Sequence, residues 1–194
     1  LVAFDQDPTI RELVQNRPCR VLSYGMDPGS PWRLGTHSAS PPWTHFEVMK
    51  NGDLWGRFQT RMIGEHNLWN AVSAIAVAET LGIGLPAIAE ALQSFEGVKR
   101  RQEIRGCKNG ITVMDDFAHH PTAVRETLRA VRSFYSAGRI IAVFEPRTNS
   151  SMRKVFQNDY PLSFDGADLV CILNPSLLYR IPVPERISSE HDRD

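Results

Sequence analysis

Short apolar segments at the start of the chain flank a segment with a helical pattern. Residues 1–4 and 20–24 are apolar and β-prone, and residues 8–16 between them fit a helix. This order predicts a β-α-β unit, whose two strands run parallel in one sheet.

An antiparallel section is predicted next. Residues 26–42 carry many Gly, Pro and Ser and predict a loop. Two β-prone segments, residues 44–49 and 54–58, then flank Asn51-Gly52. Because Asn-Gly suits a turn in which both central residues have positive φ, this pattern predicts a tight hairpin.

Two helices are predicted to close the first half of the chain. Residues 66–82 are rich in alanine and apolar nearly all round, and Gly82 is placed to end the helix. The pattern predicts a fully buried helix. A second helix is predicted over residues 85–95, with Pro86 in its first turn and apolar residues at helical spacing.

The second half shows a new alternation of strands and helices. The charged, glycine-containing segment 95–106 predicts a domain junction close to Gly97. Beyond it, strands are predicted at 111–114, 139–144 and 168–173, with helices at 121–136 and 151–161. The alternation predicts a doubly wound parallel sheet, and residues 188–194 predict a frayed polar tail.

Composition excludes several classes of function. The 22 basic and 22 acidic residues cancel, which argues against nucleic-acid binding. The three cysteines are far apart and form no Cys-x-x-Cys pair, so neither a disulfide framework nor a thiolate zinc site is expected. No apolar run is long enough to cross a membrane, and no signal peptide is evident. A reducing cytoplasm is the expected location.

Polar residues directly after predicted strands are the candidates for chemistry, because ligands of open α/β sheets bind beyond the carboxyl ends of the strands. DDFAHHP (115–121) places two carboxylates and two imidazoles between a strand and a helix. EPRTNS (145–150) follows the next strand and offers a carboxylate and an arginine, which suit ribose, metal or phosphate contacts.

Structural roles compete with functional ones at each of these positions. Asp115 or Asp116 could cap the following helix. His120 is expected to be structural, which leaves His119 as the functional candidate. The charge run 99–101 fits a solvated junction. Asn70, one turn after His66, fits a satisfied polar pair as well as a ligand site.

Four segments together resemble the Mur ligase family: GEHNLWNAVSAIAVAETLGI (64–83), FEGVKRRQEIRG (95–106), ITVMDDFAHHPTAVRETL (111–128) and VFEPRTNSSM (143–152). The resemblance implies an α/β fold in which residues 1–95 are the second half of a central P-loop-type ATPase domain. Residues 96–194 would be a Rossmann-like, incomplete C-terminal domain. No G-x-x-x-x-G-K-[ST] occurs in the chain, so the phosphate-cradling loop would lie in an earlier, missing part.

The family's functional residues are carried over residue by residue. By resemblance, Asn70 reads the adenine of ATP, Arg101 approaches the nucleotide and Asp116 lies near its ribose. His119 matches the histidine near the reaction centre and is the catalytic candidate, and Arg147 is placed to bind a carboxylate of the incoming substrate. ATP and Mg²⁺ are the implied cofactors, with the family's metal ligands outside this chain.

The resemblance also implies a reaction. The branch with the best match joins UDP-N-acetylmuramate to the tripeptide L-Ala-γ-D-Glu-meso-diaminopimelate through an acyl phosphate. The chain by itself, without the missing N-terminal domains, is expected to be inactive. Two alternatives stay open: a branch that adds L-alanine, which shares the His-His-Pro pattern, and a non-catalytic module that binds a nucleotide or a sugar. A nicotinamide dehydrogenase would need G-x-G-x-x-G, which is absent.

Overall fold

The computed structural model describes residues 1–188. It divides the chain into two compact units that meet in sequence between Gly97 and Val98. The predicted frayed tail falls, from residue 189 onward, outside the described residues. No helix in the described part of the chain has the length and apolar character needed to span a membrane.

The first unit is built on a five-stranded mixed sheet. Along the sheet the strands follow their order in the sequence. They are β1 (Val2–Phe4), β2 (Leu22–Gly25), β3 (Trp32–Ser40), β4 (Trp43–Lys50) and β5 (Asp53–Thr60). The first two strands are parallel and helix α1 (Pro8–Val14) connects them, so the predicted β-α-β unit is confirmed.

Strand β3 lies where the sequence predicted a loop. It pairs parallel to β2 and antiparallel to β4, and so joins the two halves of the sheet. Its buried residues Trp32 and Leu34 alternate with polar ones, but the surrounding Gly, Pro and Ser masked this short pattern. The β4–β5 hairpin is confirmed, with Asn51 at φ 53° and Gly52 at φ 93°.

Two helices cover the sheet of the first unit. Helices α2 (Glu65–Thr80) and α3 (Leu85–Ser94) contribute to one apolar core with strands β3, β4 and β5. The prediction that α2 is fully buried is wrong for the unit as described. Leu68, Val72 and Ile75 are buried, whereas Val77 is 44% exposed. Helix α2 therefore buries only one face. The sequence pattern was misleading because an alanine-rich helix can look apolar on all sides.

The second unit contains two separate two-stranded sheets. Strands β6 (Glu103–Lys108) and β7 (Ile111–Asp115) are antiparallel, and β8 (Ile141–Phe144) and β9 (Leu169–Ile172) are parallel. Helix α4 (Pro121–Phe134) follows β7, and helix α5 (Asp159–Ser163) precedes β9. The predicted single doubly wound sheet is not formed among the described residues, because β7 takes β6 as its partner and not β8.

An aromatic cluster forms the core of this unit. Phe144 packs against Tyr160 and Phe164 with ring centroids 5.1 and 5.5 Å apart. Val124 and Leu128, one turn apart on α4, join the same cluster. The helix predicted over 151–161 is wrong in extent: a single 3₁₀ turn, Lys154–Phe156, precedes the five-residue α5, and Pro161 limits longer helical hydrogen bonding.

Asp168, just before β9, carries a pH-dependent contribution to stability. Its carboxylate accepts hydrogen bonds from the backbone N–H of Ile140 and from Arg132, and both lower the pKa of Asp168. A lowered pKa in the folded state gives stability that is present above the ordinary pKa of about 4 and is lost as pH falls through the lowered value.

We expect Asp168→Asn to flatten the decline in unfolding free energy below about pH 4. Urea unfolding of the chain at a series of pH values measures this slope. Asp165→Asn, in the same segment between α5 and β9, is the control. A slope for Asp168→Asn equal to that of the parent would contradict the expectation.

Candidate active site

The loop between β7 and α4 is fixed by the carboxylate of Asp116. Its Oδ1 accepts from the backbone N–H of Ala118 at 2.6 Å, and its Oδ2 accepts from that of Gln102 at 2.9 Å. The second bond spans 14 residues and holds the segment after Arg101 beside the loop. Asp116 and Arg101, two predicted ATP contacts, are therefore neighbours in the fold.

Phe117 is the centre of a cluster of cations that the sequence did not predict. The guanidinium carbons of Arg100 and Arg101 lie 4.9 and 5.7 Å from the centre of its ring. The imidazole of His119 meets the same ring edge-on at a centroid distance of 4.9 Å. With the Phe117 side chain 38% exposed, cations and an aromatic face are presented together, an arrangement suited to an anionic ligand.

The two adjacent histidines have different roles. His120 is the N-cap of α4: its Nδ1 accepts from the backbone N–H of Thr122 at 3.3 Å, and its ring packs on Phe156. The alternative in which Asp115 or Asp116 caps this helix is therefore wrong. His119 has its Nδ1 2.9 Å from the carbonyl oxygen of Phe117, which orients the imidazole toward the cation cluster.

The second candidate loop, residues 145–150, follows β8. Arg147 is 64% exposed in its side chain, with Nε 3.4 Å from Oε2 of Glu145. A surface ion pair of this kind contributes little to stability, so the guanidinium can exchange it for a substrate carboxylate. The loop itself is ordered by hydrogen bonds between Thr148 and Ser151.

Tyr160 joins the two candidate loops and was not found by sequence reasoning. Its hydroxyl donates to the backbone carbonyl of His119, and its ring packs against Phe144, the residue directly before the 145–150 loop. Burial raises the pKa of Tyr160 to about 12. The phenol therefore stays protonated at neutral pH, which it must be to donate to a carbonyl.

Asn70, the predicted adenine contact, lies in the first unit on α2. Its side chain is exposed, in contrast to the fully buried helix predicted for this segment. Its backbone carbonyl accepts from the hydroxyl of Ser73 at 2.8 Å, and its side chain faces away from the buried stripe of Leu68, Val72 and Ile75. An exposed amide on a rigid helix is available to a ligand.

The second-unit residues suit a nucleotide. Each carboxylate oxygen of Asp116 has two lone pairs, so one that accepts a backbone N–H retains capacity for a ribose hydroxyl. Within residues 1–188, no three His, Cys, Asp or Glu side chains come together to hold a metal ion.

The anchoring role of Asp116 gives a local prediction. Asp116→Ala leaves two backbone N–H groups without their acceptor, which is expected to lower the free energy of loop opening by about 1–3 kcal/mol. Hydrogen exchange at the amides of Gln102 and Ala118 measures it. Asp116→Asn keeps one acceptor oxygen and should lose less; unchanged exchange rates in Asp116→Ala would contradict the anchoring role.

Both halves of the chain match domains of one protein family. Residues 1–78 match the Mur ligase middle domain. Residues 100–177 match the Mur ligase C-terminal domain, described as the glutamate ligase domain. The matched ranges contain all five candidate residues, which are Asn70, Arg101, Asp116, His119 and Arg147.

Curated proteins and solved structures agree with these matches. A UDP-N-acetylmuramate–L-alanine ligase of Clostridium acetobutylicum is 39% identical over 168 residues, which are 87% of this chain and 36% of the relative. A protein of the same name from Roseiflexus castenholzii is 43% identical, over 84% of this chain and 34% of the relative. This chain thus spans about a third of the length of such relatives.

Among solved structures, UDP-N-acetylmuramate-alanine ligase MurC from Thermotoga maritima aligns with a TM-score of 0.75 at 27% identity, over 88% of this chain and 36% of that chain. A murein peptide ligase from Psychrobacter arcticus aligns with a TM-score of 0.53 at 34% identity, over 81% of this chain and 33% of that chain. The domain matches in both halves, the similar curated proteins and the similar solved structures all point to one family. The chain therefore belongs to the Mur ligase family.

Proposed function

We propose that this chain is part of a longer ATP-dependent ligase that forms an amide bond on the carboxylate of UDP-N-acetylmuramate. The observation that carries the proposal is the pair of domain matches, to the middle and C-terminal domains of Mur ligases. The names of the curated relatives supply the sugar nucleotide as the substrate to test.

The cation cluster supports the assignment of ATP. Arg101 and Asp116 are held next to each other by the Gln102 hydrogen bond, so an arginine can meet the phosphates while a carboxylate meets the ribose. Asn70 is the proposed adenine contact from the first unit, where its amide is exposed. An amide offers both a donor and an acceptor, which suits the edge of adenine.

The proposed chemistry has two steps. The γ-phosphoryl group of ATP transfers to the lactyl carboxylate of UDP-N-acetylmuramate, giving an acyl phosphate and ADP. The acceptor amine then attacks the acyl carbon, and phosphate leaves from a tetrahedral intermediate. Positioned cations offset the charge that develops on the phosphoryl oxygens. His119, beside Arg101 on the Phe117 ring, is the proposed catalytic residue at this centre.

Two acceptors are proposed, each on its own observation. The curated relatives named above favour L-alanine, because both are UDP-N-acetylmuramate–L-alanine ligases. The sequence Glu145-Pro146-Arg147 resembles the tripeptide-adding branch, and the murein peptide ligase structure is 34% identical. In both cases Arg147 would bind a carboxylate of the acceptor with two parallel hydrogen bonds.

ADP release by the full-length ligase, with UDP-N-acetylmuramate and either acceptor, tests the proposal. Turnover with L-alanine alone assigns the first branch, and turnover with L-Ala-γ-D-Glu-meso-diaminopimelate alone assigns the second. The 194-residue chain is the matched negative control, since it carries no P-loop sequence. Absence of turnover with both acceptors would contradict the proposal and favour a binding module.

A further inference from the structure

The two candidate loops of the second unit follow strands that belong to different sheets. Strand β7 pairs with β6, and β8 pairs with β9. No β-ladder between β7 and β8 therefore fixes the loop that carries His119 relative to the loop that carries Arg147. Any fixed spacing between these loops has to come from side chains.

Tyr160 supplies one such connection. Its ring is 4% exposed and packs against Phe144, the last residue of β8, with centroids 5.1 Å apart. Its hydroxyl donates to the main-chain carbonyl of His119. Tyr160 thus contacts the end of β8 through its ring and the His119 loop through its hydroxyl.

Ser151 orders the loop that carries Arg147. Its side chain is fully buried. The Ser151 hydroxyl accepts from the backbone N–H of Thr148 at 2.9 Å and donates to the carbonyl of Thr148 at 3.0 Å. Thr148 follows Arg147 directly in the chain.

We propose that Tyr160 is a positioning residue that sets the place of His119 relative to the loop that carries Arg147. This inference rests on the proposed function, because His119 and Arg147 act on one substrate only if the protein is a ligase. The connection runs from Phe144, at the end of β8, through the ring and the hydroxyl of Tyr160 to the carbonyl of His119. Because the Tyr160 side chain is buried, water has little access to this hydrogen bond.

The first test observes the connection without any turnover. His119 and His120 are the only adjacent histidines in the sequence. Labelling the chain with histidine that carries carbon-13 at the carbonyl and nitrogen-15 at the amide therefore gives a single carbonyl-to-amide NMR correlation, which reports on the His119 carbonyl. Tyr160→Phe, which keeps the ring packing and removes the hydroxyl, is expected to shift this correlation.

Tyr135→Phe is the matched control, because it removes the same hydroxyl from a residue at the end of α4. It is expected to leave the correlation in place. An unshifted correlation in Tyr160→Phe would overturn the connection.

The second test measures kinetics in the full-length ligase. A misplacement of about 1 Å is enough to lower turnover up to 100-fold, so kcat is expected to fall by about 10- to 100-fold in Tyr160→Phe. The KM for ATP should change little, since Asp116 and Arg101 are anchored separately. Tyr135→Phe should leave both kcat and the KM for ATP unchanged.

The outcomes separate the two proposals. A shifted NMR correlation with kcat no lower than in Tyr135→Phe overturns the positioning role and leaves the ligase function standing. A parent protein that turns over neither acceptor removes the ligase function, and the positioning role falls with it even where the NMR connection is present.

Discussion

Arg101→Ala in the full-length ligase is expected to lower kcat/KM for ATP by about 10²- to 10³-fold, the usual effect of removing one positioned group that stabilises charge in the transition state. Arg101 is exposed and its guanidinium lies 5.7 Å from the centre of the Phe117 ring. Its replacement therefore removes little packing. Steady-state ADP release at varied ATP concentration measures the effect.

Arg105→Ala is the matched control for this charge change. Arg105 is also exposed, lies in β6 of the same unit and pairs with Glu103 at 2.8 Å. If long-range charge alone mattered, both substitutions would have similar effects, since both remove one positive charge nearby. Equal losses in the two variants, or no loss in Arg101→Ala, would contradict the assignment of Arg101 to the nucleotide.

Phe144→Ala is expected to destabilise the second unit by about 3–5 kcal/mol, the usual range for deleting a buried aromatic ring. Phe144 is 8% exposed and contacts the rings of Tyr160 and Phe164. The loss should also remove one of the ring contacts of Tyr160. Urea unfolding of the chain measures the change in unfolding free energy. Hydrogen exchange at the amides of β8 and α4 shows whether the loss lies in the second unit.

Val143→Ala, the preceding residue of the same strand, is the control. Val143 is 69% exposed in the chain, so its truncation should change the unfolding free energy by about 0.5 kcal/mol or less. Similar losses in the two variants would mean that the aromatic cluster is not the core of this unit.

Turn chemistry in the sequence predicted a hairpin where β-prone segments flank the turn. Asn51-Gly52 predicted the β4–β5 hairpin correctly. The same signal occurs at Asn109-Gly110, whose φ angles of 51° and 75° form the turn between β6 and β7. This second hairpin was missed because β6 lacks apolar alternation, and the omission led to the wrong prediction of one parallel sheet.

The candidate site was predictable only where local signals in the sequence locate it. Strand ends can be located from the sequence, so the loops with Asp116, His119 and Arg147 could be proposed. Phe117 and Tyr160 could not, because their roles depend on contacts between residues that are distant in the chain. Tyr160 reaches His119 across 41 residues, and no periodicity or turn signal encodes a contact of this kind.

The central claim is that the longer protein activates the carboxylate of UDP-N-acetylmuramate with ATP, and trapping the acyl phosphate tests it most directly. The full-length ligase is incubated with ATP and UDP-N-acetylmuramate without any amine and is then treated with borohydride, which reduces an acyl phosphate to a primary alcohol. Mass spectrometry should detect this alcohol only when ATP is present. No ATP-dependent alcohol, from enzyme that binds both substrates, would contradict the account.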